Sequence, residues 1–180
     1  MSVLSSLPNG TFTVDPSHSR VGFSVRHVMV SKVRGAFNTY TGTGSVKKGV
    51  AALHVEIDVA SIDTRNADRD GHLASADFFD VSTYPKITFT STSVKDKGSD
   101  RVVVVGDLTI RDVTESISFE LEYSGTATDP YGNVRFGFEG ETEINRKDFG
   151  LTWNAALETG GVVLSETVKL EFELSAIADK

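Results

Sequence analysis

This sequence predicts an all-β fold closed into an eight-stranded antiparallel barrel, and three observations predict it. Nine stretches alternate apolar with polar residues at period two, the repeat of a half-buried strand. In most of them one face is apolar while the other carries Ser, Thr, Lys or Glu, as antiparallel sheets with one wet face require. The separators hold turn chemistry: Lys48-Gly49, Lys97-Gly98, Asp129-Pro130-Tyr131-Gly132 and Gly160-Gly161. Eight long strands of this kind can stack as a sandwich or close on themselves, and closure removes both exposed edges.

Along the chain, residues 1–10 read as a flexible leader, with Val3, Leu4 and Leu7 scattered in it and no basic run before them. A single domain then occupies 11–180, an ordinary length for one core. A short strand at 11–14 precedes the strand at 20–30, where Val21, Phe23, Val25, His27 and Met29 share a face and an imidazole interrupts an apolar row. Strand 32–41 presents Gly35 and Phe37, and 52–60 presents Leu53, Val55 and Ile57. The one long connection, 61–85, reads as one or two short helices. Asn66 is placed to cap 67–74 and Ser75 to cap 76–80, and Phe78 and Phe79 supply the apolar face of a lid or plug. The remaining strands are 86–94 with Ile87 and Phe89, 101–111 with Leu108, 116–123 with Phe119 and Leu121, 134–145 with Phe136 and Phe138, and 167–177 with Leu170 and Phe172.

Composition narrows the function. A formal net charge of -7 without a basic run argues against a nucleic-acid partner. With no cysteine there are no disulfides or thiolate chemistry, and the chain suits a reducing compartment, so a cytoplasmic location is expected. No apolar run reaches the roughly eighteen residues of a membrane helix, so no membrane span is expected. No two of the four histidines stand at ligand spacing, so neither a metal nor another cofactor is expected.

The interior of an eight-stranded barrel is just wide enough to be filled by side chains or to hold one small ligand. The inner wall expected here is Phe23, Val25, Phe37, Leu53, Val55, Ile57, Phe89, Leu108, Phe119, Leu121, Phe136, Phe138, Leu170 and Phe172. Gly35, Gly106 and Gly140 fall in the same rows, where they either curve the sheet or make room for a ligand. Polar groups on such a wall suit an amphiphile. His27 is either a satisfied core residue or a ligand contact, and His72 either faces a head group or caps its helix. Arg146 with Asp148, and Arg69 with Asp70, could each bind a phosphate or quinone oxygen, or form an ion pair that fixes a turn.

Four runs in order resemble the YceI-like polyisoprenoid-binding family over nearly the whole chain. The first joins Asp15-Pro-Ser-His18-Ser19 to Val21-Gly-Phe-Ser-Val-Arg-His27 and Val33-Arg-Gly35-Ala-Phe37, and the second joins Arg69-Asp70-Gly-His72-Leu73 to Asp77-Phe78-Phe79-Asp80 and Tyr84-Pro85. The third is Val105-Gly106-Asp-Leu108-Thr109-Ile110 with Val113-Thr114, and the fourth is Ile144-Asn-Arg146-Lys-Asp148-Phe149-Gly150-Leu151. The resemblance implies a lipocalin-like barrel, often a homodimer, that binds, sequesters or transports an isoprenoid quinone, polyprenyl compound or other single-chain lipid in an internal pore without catalysis. The chain departs from the family pattern at Asp112, where a glycine is common, and at Ala74, which supplies no cation to a head group.

Two other readings stand beside this one. A filled barrel would act through its surface as a protein-interaction or stress-related module, with an exposed apolar patch as its mark. A hydrolase built on Asp15, His18 and Ser19 is the more distant, since the three lie in one turn with no nucleophile elbow and no glycine-rich oxyanion loop.

Overall fold

The computed structural model describes residues 2–180. Its strands are β1 (Gly10–Val14), β2 (Arg20–His27), β3 (Ser31–Phe37), β4 (Tyr40–Lys47), β5 (Val50–Asp58), β6 (Ile62–Asp63), β7 (Lys86–Lys97), β8 (Arg101–Ile110), β9 (Val113–Thr128), β10 (Val134–Asn145) and β11 (Leu164–Ala178). They form one antiparallel sheet in the order β1-β4-β5-β7-β8-β9-β10-β11-β2-β3-β6, which closes where Phe12 of β1 pairs with Ala178 of β11. β1 and β2 lie end to end along β11, and the strand formed by β3 and β4 lies along both of them. Taken as two bent strands with six others around the ring, and β6 as a two-residue appendage, they make an eight-stranded barrel. The bend between β1 and β2 is a 3-10 turn, Pro16–His18, started by Asp15 accepting from Ser17 N at 3.0 Å.

β4 is absent from the sequence reading, which stops its strand at residue 41. Its run Tyr-Thr-Gly-Thr-Gly-Ser places Gly42 and Gly44 at alternate positions on one face, where the apolar row that announces a strand would stand. The two glycines are there for the neighbour: a Cβ on Gly42 would stand 2.6 Å from Val14, and one on Gly44 would run into Phe12, its direct cross-strand partner. The same device explains the glycines whose purpose the sequence left open. Phe23 lies over its partner Gly35, Phe89 over Gly106, and Leu121 over Gly140. Those glycines admit protein side chains, not a ligand.

The barrel has two unlike ends. At one, the hairpins at 47–50, 97–101 and 128–134 surround α1 (Val3–Ser6), capped by Ser2, whose hydroxyl accepts from Ser5 N at 3.2 Å. Val3, Leu4 and Leu7 are buried, and Leu4 N donates to Asp96 at 3.0 Å. The segment expected to be a flexible leader is therefore a plug, because three apolar side chains find a barrel mouth to enter. Above it Val46, Val102, Val104, Phe12 and Phe136 are buried, with the last two edge to face at 5.2 Å.

At the other end, α2 (Ala67–Ala74), capped by Asn66 through Arg69 N at 2.9 Å, belongs to the lid expected over 61–85. The second helix expected at 76–80 is a run of turns, held by Phe79 N on Leu73 O and Asp80 N on Ser75 O. A second long connection, unremarked in the sequence, runs from the 3-10 helix Arg146–Phe149 through 150–163. It begins at Gly150, whose φ of 76° is the left-handed conformation that ends such a turn. Asp112 lies in the β8–β9 turn, whose positive φ falls on Arg111, so that departure from the family pattern carries no strain.

Candidate functional site

The lid end of the barrel is hollow. A cavity of about 170 Å³ lies among β2, β5, β7, β8, β9 and β11, many times the space one water molecule needs. Eleven of the fourteen residues read as inner wall border it, while Leu121, Phe136 and Phe138 border a second cavity of about 60 Å³ nearer the plug. Val14, Leu53 and Leu174 border both and form the partition. Phe23, Val25, Leu53, Val55 and Phe172 face inward yet are only partly buried, because the surface they leave uncovered is cavity wall. Residues of the same rows that the sequence reading passed over, including Ile87, Ile117 and Val168, complete the lining by simple alternation.

The lid contributes Leu73, Phe78 and Phe79 to the roof, and the second connection contributes Leu151. Phe79 packs edge to face on Phe37 at 6.1 Å, so lid and barrel wall share one aromatic contact. The two connections are clasped by Trp153, whose ring lies 4.8 Å from His72 and 5.3 Å from Phe78. His72 is thereby a lid brace. Its Nε2 bonds Asp77 Oδ2 at 2.8 Å, and it does not reach the cavity.

A cation is buried against the wall at Arg146. This side chain is 3% exposed, yet borders the cavity. Nε donates to Ser165 O at 2.8 Å, and Nη1 to Leu151 O at 2.7 Å and Trp153 O at 2.8 Å, with a longer bond from Nη2 to Leu164 O at 3.4 Å. The ion pair with Asp148 that the spacing allowed is not formed: Asp148 is exposed, and backbone carbonyls take its place. The nearest carboxylate that acts on the guanidinium, Glu166, is itself bonded to Lys147 at 2.5 Å. Burial draws the Arg146 pKa down, since a desolvated cation bonded only to neutral dipoles is less favoured than one in water. A positive charge that no carboxylate neutralises within bonding distance thus lies behind the wall of a cavity whose exposed surface is apolar.

The other polar candidates lie elsewhere. Arg69 donates to Thr64 Oγ1 at 2.8 Å and Thr64 O at 2.6 Å, and Asp70 accepts from Thr64 N at 2.9 Å, so the pair locks the turn before α2 and does not face the cavity. His27 is half-buried at the end of β2, opposite Leu164, and does not border the cavity. His18 bonds Asp15 at 2.8 Å, but Ser19 Oγ accepts from Ser175 N at 2.9 Å, so Asp15, His18 and Ser19 form no relay. Tyr40, missed with its strand, is buried at the cavity, its hydroxyl without a hydrogen-bond partner, and burial pushes its phenol pKa up. Among the described residues no three His, Asp or Glu side chains gather as a metal site, and no helix is long and apolar enough to cross a membrane.

A second polar cluster fastens the barrel seam. Arg135 donates to Asp15 and to Asp129, each at 2.7 Å, tying the β1–β2 bend to the β9–β10 turn. Bonds from Ser17 and Arg135 hold the Asp15 carboxyl far below the usual carboxylate range, and Arg135 with Asn133 does the same for Asp129.

Residues 12–176 match the YceI-like domain family. A UPF0312 protein of Staphylococcus aureus is 39% identical over 164 residues, 89% of this chain and 93% of its own length. One from Vibrio campbellii is 40% identical over 136 residues, 74% of this chain and 72% of its own. BcnA of Burkholderia cenocepacia superposes with a TM-score of 0.79 at 25% identity, covering 90% of this chain and 98% of its own. The Campylobacter jejuni YceI protein does so with 0.75 at 29%, covering 86% and 90%. A polyisoprenoid binding domain from Saccharophagus degradans, with 0.73 at 22% and covering 93% and 98%, shares the fold.

Proposed function

Because this chain belongs to the YceI-like family, we propose that it binds, sequesters and carries an amphiphilic single-chain lipid, a polyisoprenoid or isoprenoid quinone, in the lid-end cavity without catalysis. The observation that carries this reading is a large apolar cavity with one cation buried against its wall. The tail occupies the space beneath Phe78 and Phe79, and the oxygen-bearing end lies toward Arg146, whose bonded carbonyls hold the fork in place. Each methylene moved from water to such a wall contributes about 0.8 kcal/mol, so a few isoprene units support micromolar binding after ordering costs. The fold neighbour described as a polyisoprenoid binding domain agrees with this class of tail. The same reading places the cysteine-free chain in the cytoplasm, a reducing compartment, and keeps the homodimer that the family resemblance implies.

Native mass spectrometry of the purified protein, followed by solvent extraction, tests it. A stoichiometric lipid is expected on the wild type. Val55→Trp, which places a ring where the cavity now stands, should leave the protein folded and empty. A folded wild type that carries nothing and takes up no added prenyl quinone or fatty amide would overturn the reading in favour of a closed barrel acting through its surface.

A further inference from the structure

The β2–β3 hairpin ends in Val28-Met29-Val30, a tip the barrel itself does not explain. Val28 and Met29 have φ values of 53° and 61°, in the left-handed region that suits Gly, Asn and Asp and that a β-branched residue enters only under strain. Two-residue turns of this shape are ordinarily made by Asn-Gly. Here two apolar side chains are kept where a polar pair would relieve the backbone. Met29 is 71% and Val30 83% exposed, and Val162 of the neighbouring connection, 42% exposed, extends the patch. Val28 N donates to Val163 O at 2.7 Å, so tip and connection are one surface. That surface stands beside the hollow end, since the adjoining Val25 and Leu164 border the cavity.

Below the tip is a collar of cations. Arg26, Lys32 and Arg34 are exposed on the outer face of the hairpin, with Arg26 and Lys32 directly opposite each other. Like charges so placed weaken a strand pair. Among the described residues none of the three cations is in an ion pair, and three carboxylates of the strands alongside are held by other cations: Glu171 by Arg20, Glu166 by Lys147 and Glu141 by Lys169. From residue 16 to 55 the sequence has no Asp or Glu at all, in a protein whose net charge is -7. Arg26, Lys32 and Arg34 thus set three exposed cations beneath the apolar tip, with no acidic residue in the hairpin.

We propose that this hairpin docks the barrel on an anionic membrane surface, with Met29 and Val30 entering the interface and Arg26, Lys32 and Arg34 meeting the lipid phosphates. An apolar tip with a basic collar is complementary to an anionic bilayer in both respects. A second copy of this chain is not, because two-fold pairing of the tip would set its collar against an identical one. Docking does not require a cargo in the cavity, so its failure and that of the lipid-binding reading are separable.

Sedimentation of the full chain with vesicles of phosphatidylcholine containing one-third phosphatidylglycerol tests it, beside vesicles of phosphatidylcholine alone. Selective binding to the anionic vesicles that weakens with salt is expected. Lys32→Glu should weaken it about fivefold or more, and Met29→Glu should abolish it. Val50→Glu, at an equally exposed valine on the plug-end hairpin, should leave it unchanged. Melting curves establish that each variant is folded, and native mass spectrometry reads cargo separately. Equal vesicle binding by Met29→Glu and wild type, no binding to either vesicle, or a concentration-dependent dimer that Met29→Glu dissolves would each overturn the proposal.

Discussion

Replacing Arg146 with methionine removes a cation that is 3% exposed and whose donors hold three carbonyl oxygens at 2.7–2.8 Å. Methionine refills much of the stem's volume, so the change in stability reports mainly on the polar head. Two effects oppose each other. A hydrogen bond to a charged donor contributes about 1.5–3 kcal/mol, and the carbonyls of Leu151, Trp153 and Ser165 are stranded in part when it goes. Against this, a buried guanidinium without a bonded carboxylate carries a desolvation penalty of several kcal/mol that the variant escapes. Three acceptors served by one rigid fork outweigh that relief, and a net loss of about 3 kcal/mol is expected. For a chain of 180 residues this lowers Tm by about 6–12 °C. Calorimetric melting of delipidated protein measures it. Arg146→Lys, which keeps the charge but not the planar fork, should fall between the two. Hydrogen exchange should show the loosening concentrated in 150–163. A Tm within two degrees of wild type, or above it, would refute the reasoning, since the carbonyls would then be content without the guanidinium or the desolvation penalty would exceed the bonds.

Two further outcomes are expected. Leu174→Ala removes part of the partition and should join the two cavities, costing about 2–5 kcal/mol in stability while shifting the extracted lipid toward longer tails. An unchanged tail-length distribution by mass spectrometry would show that the partition does not limit the tail. Arg135→Ala should cost acid resistance. Asp15 and Asp129 have folded pKa values held below the unfolded carboxylate value of about 4, so their contribution is fully present above that pH and is lost as pH falls toward the folded values. The Tm difference between wild type and variant should be largest near neutral pH and shrink below about pH 3. A gap that does not depend on pH would place the role of Arg135 in packing.

Much of the barrel was written in period two. Phe23, Val25, Leu53, Val55, Phe89 and Phe172 face inward because alternation on a strand leaves no other choice once one face is dry. The family motifs were equally local, and they led to the family to which the chain belongs. Yet β4 escaped notice, because its glycines answer to Phe12 and Val14 on another strand and not to any propensity of their own. The leader escaped for a related reason: Val3, Leu4 and Leu7, scattered among polar residues, look like noise until a barrel mouth is available to receive them.

What the sequence by itself determined is the all-β alternation, the dry face and the residue types available to line it, since these follow from spacing along one chain. Only the tertiary structure decided how those residues divide between a larger lid-end cavity and a smaller one beside the plug. Two of the aromatics expected on one pore wall, Phe136 and Phe138, border the smaller plug-side cavity, because barrel register, and not order in the chain, sets their height. It also decided which charges matter. Arg146-Lys-Asp148 and Arg69-Asp70 look alike as strings, yet the first sends its cation to the cavity wall among backbone carbonyls and the second folds back on Thr64. The physical reason is that a side chain's partners are chosen by distance through space, and in a closed sheet the groups that meet in the interior come from strands far apart in sequence.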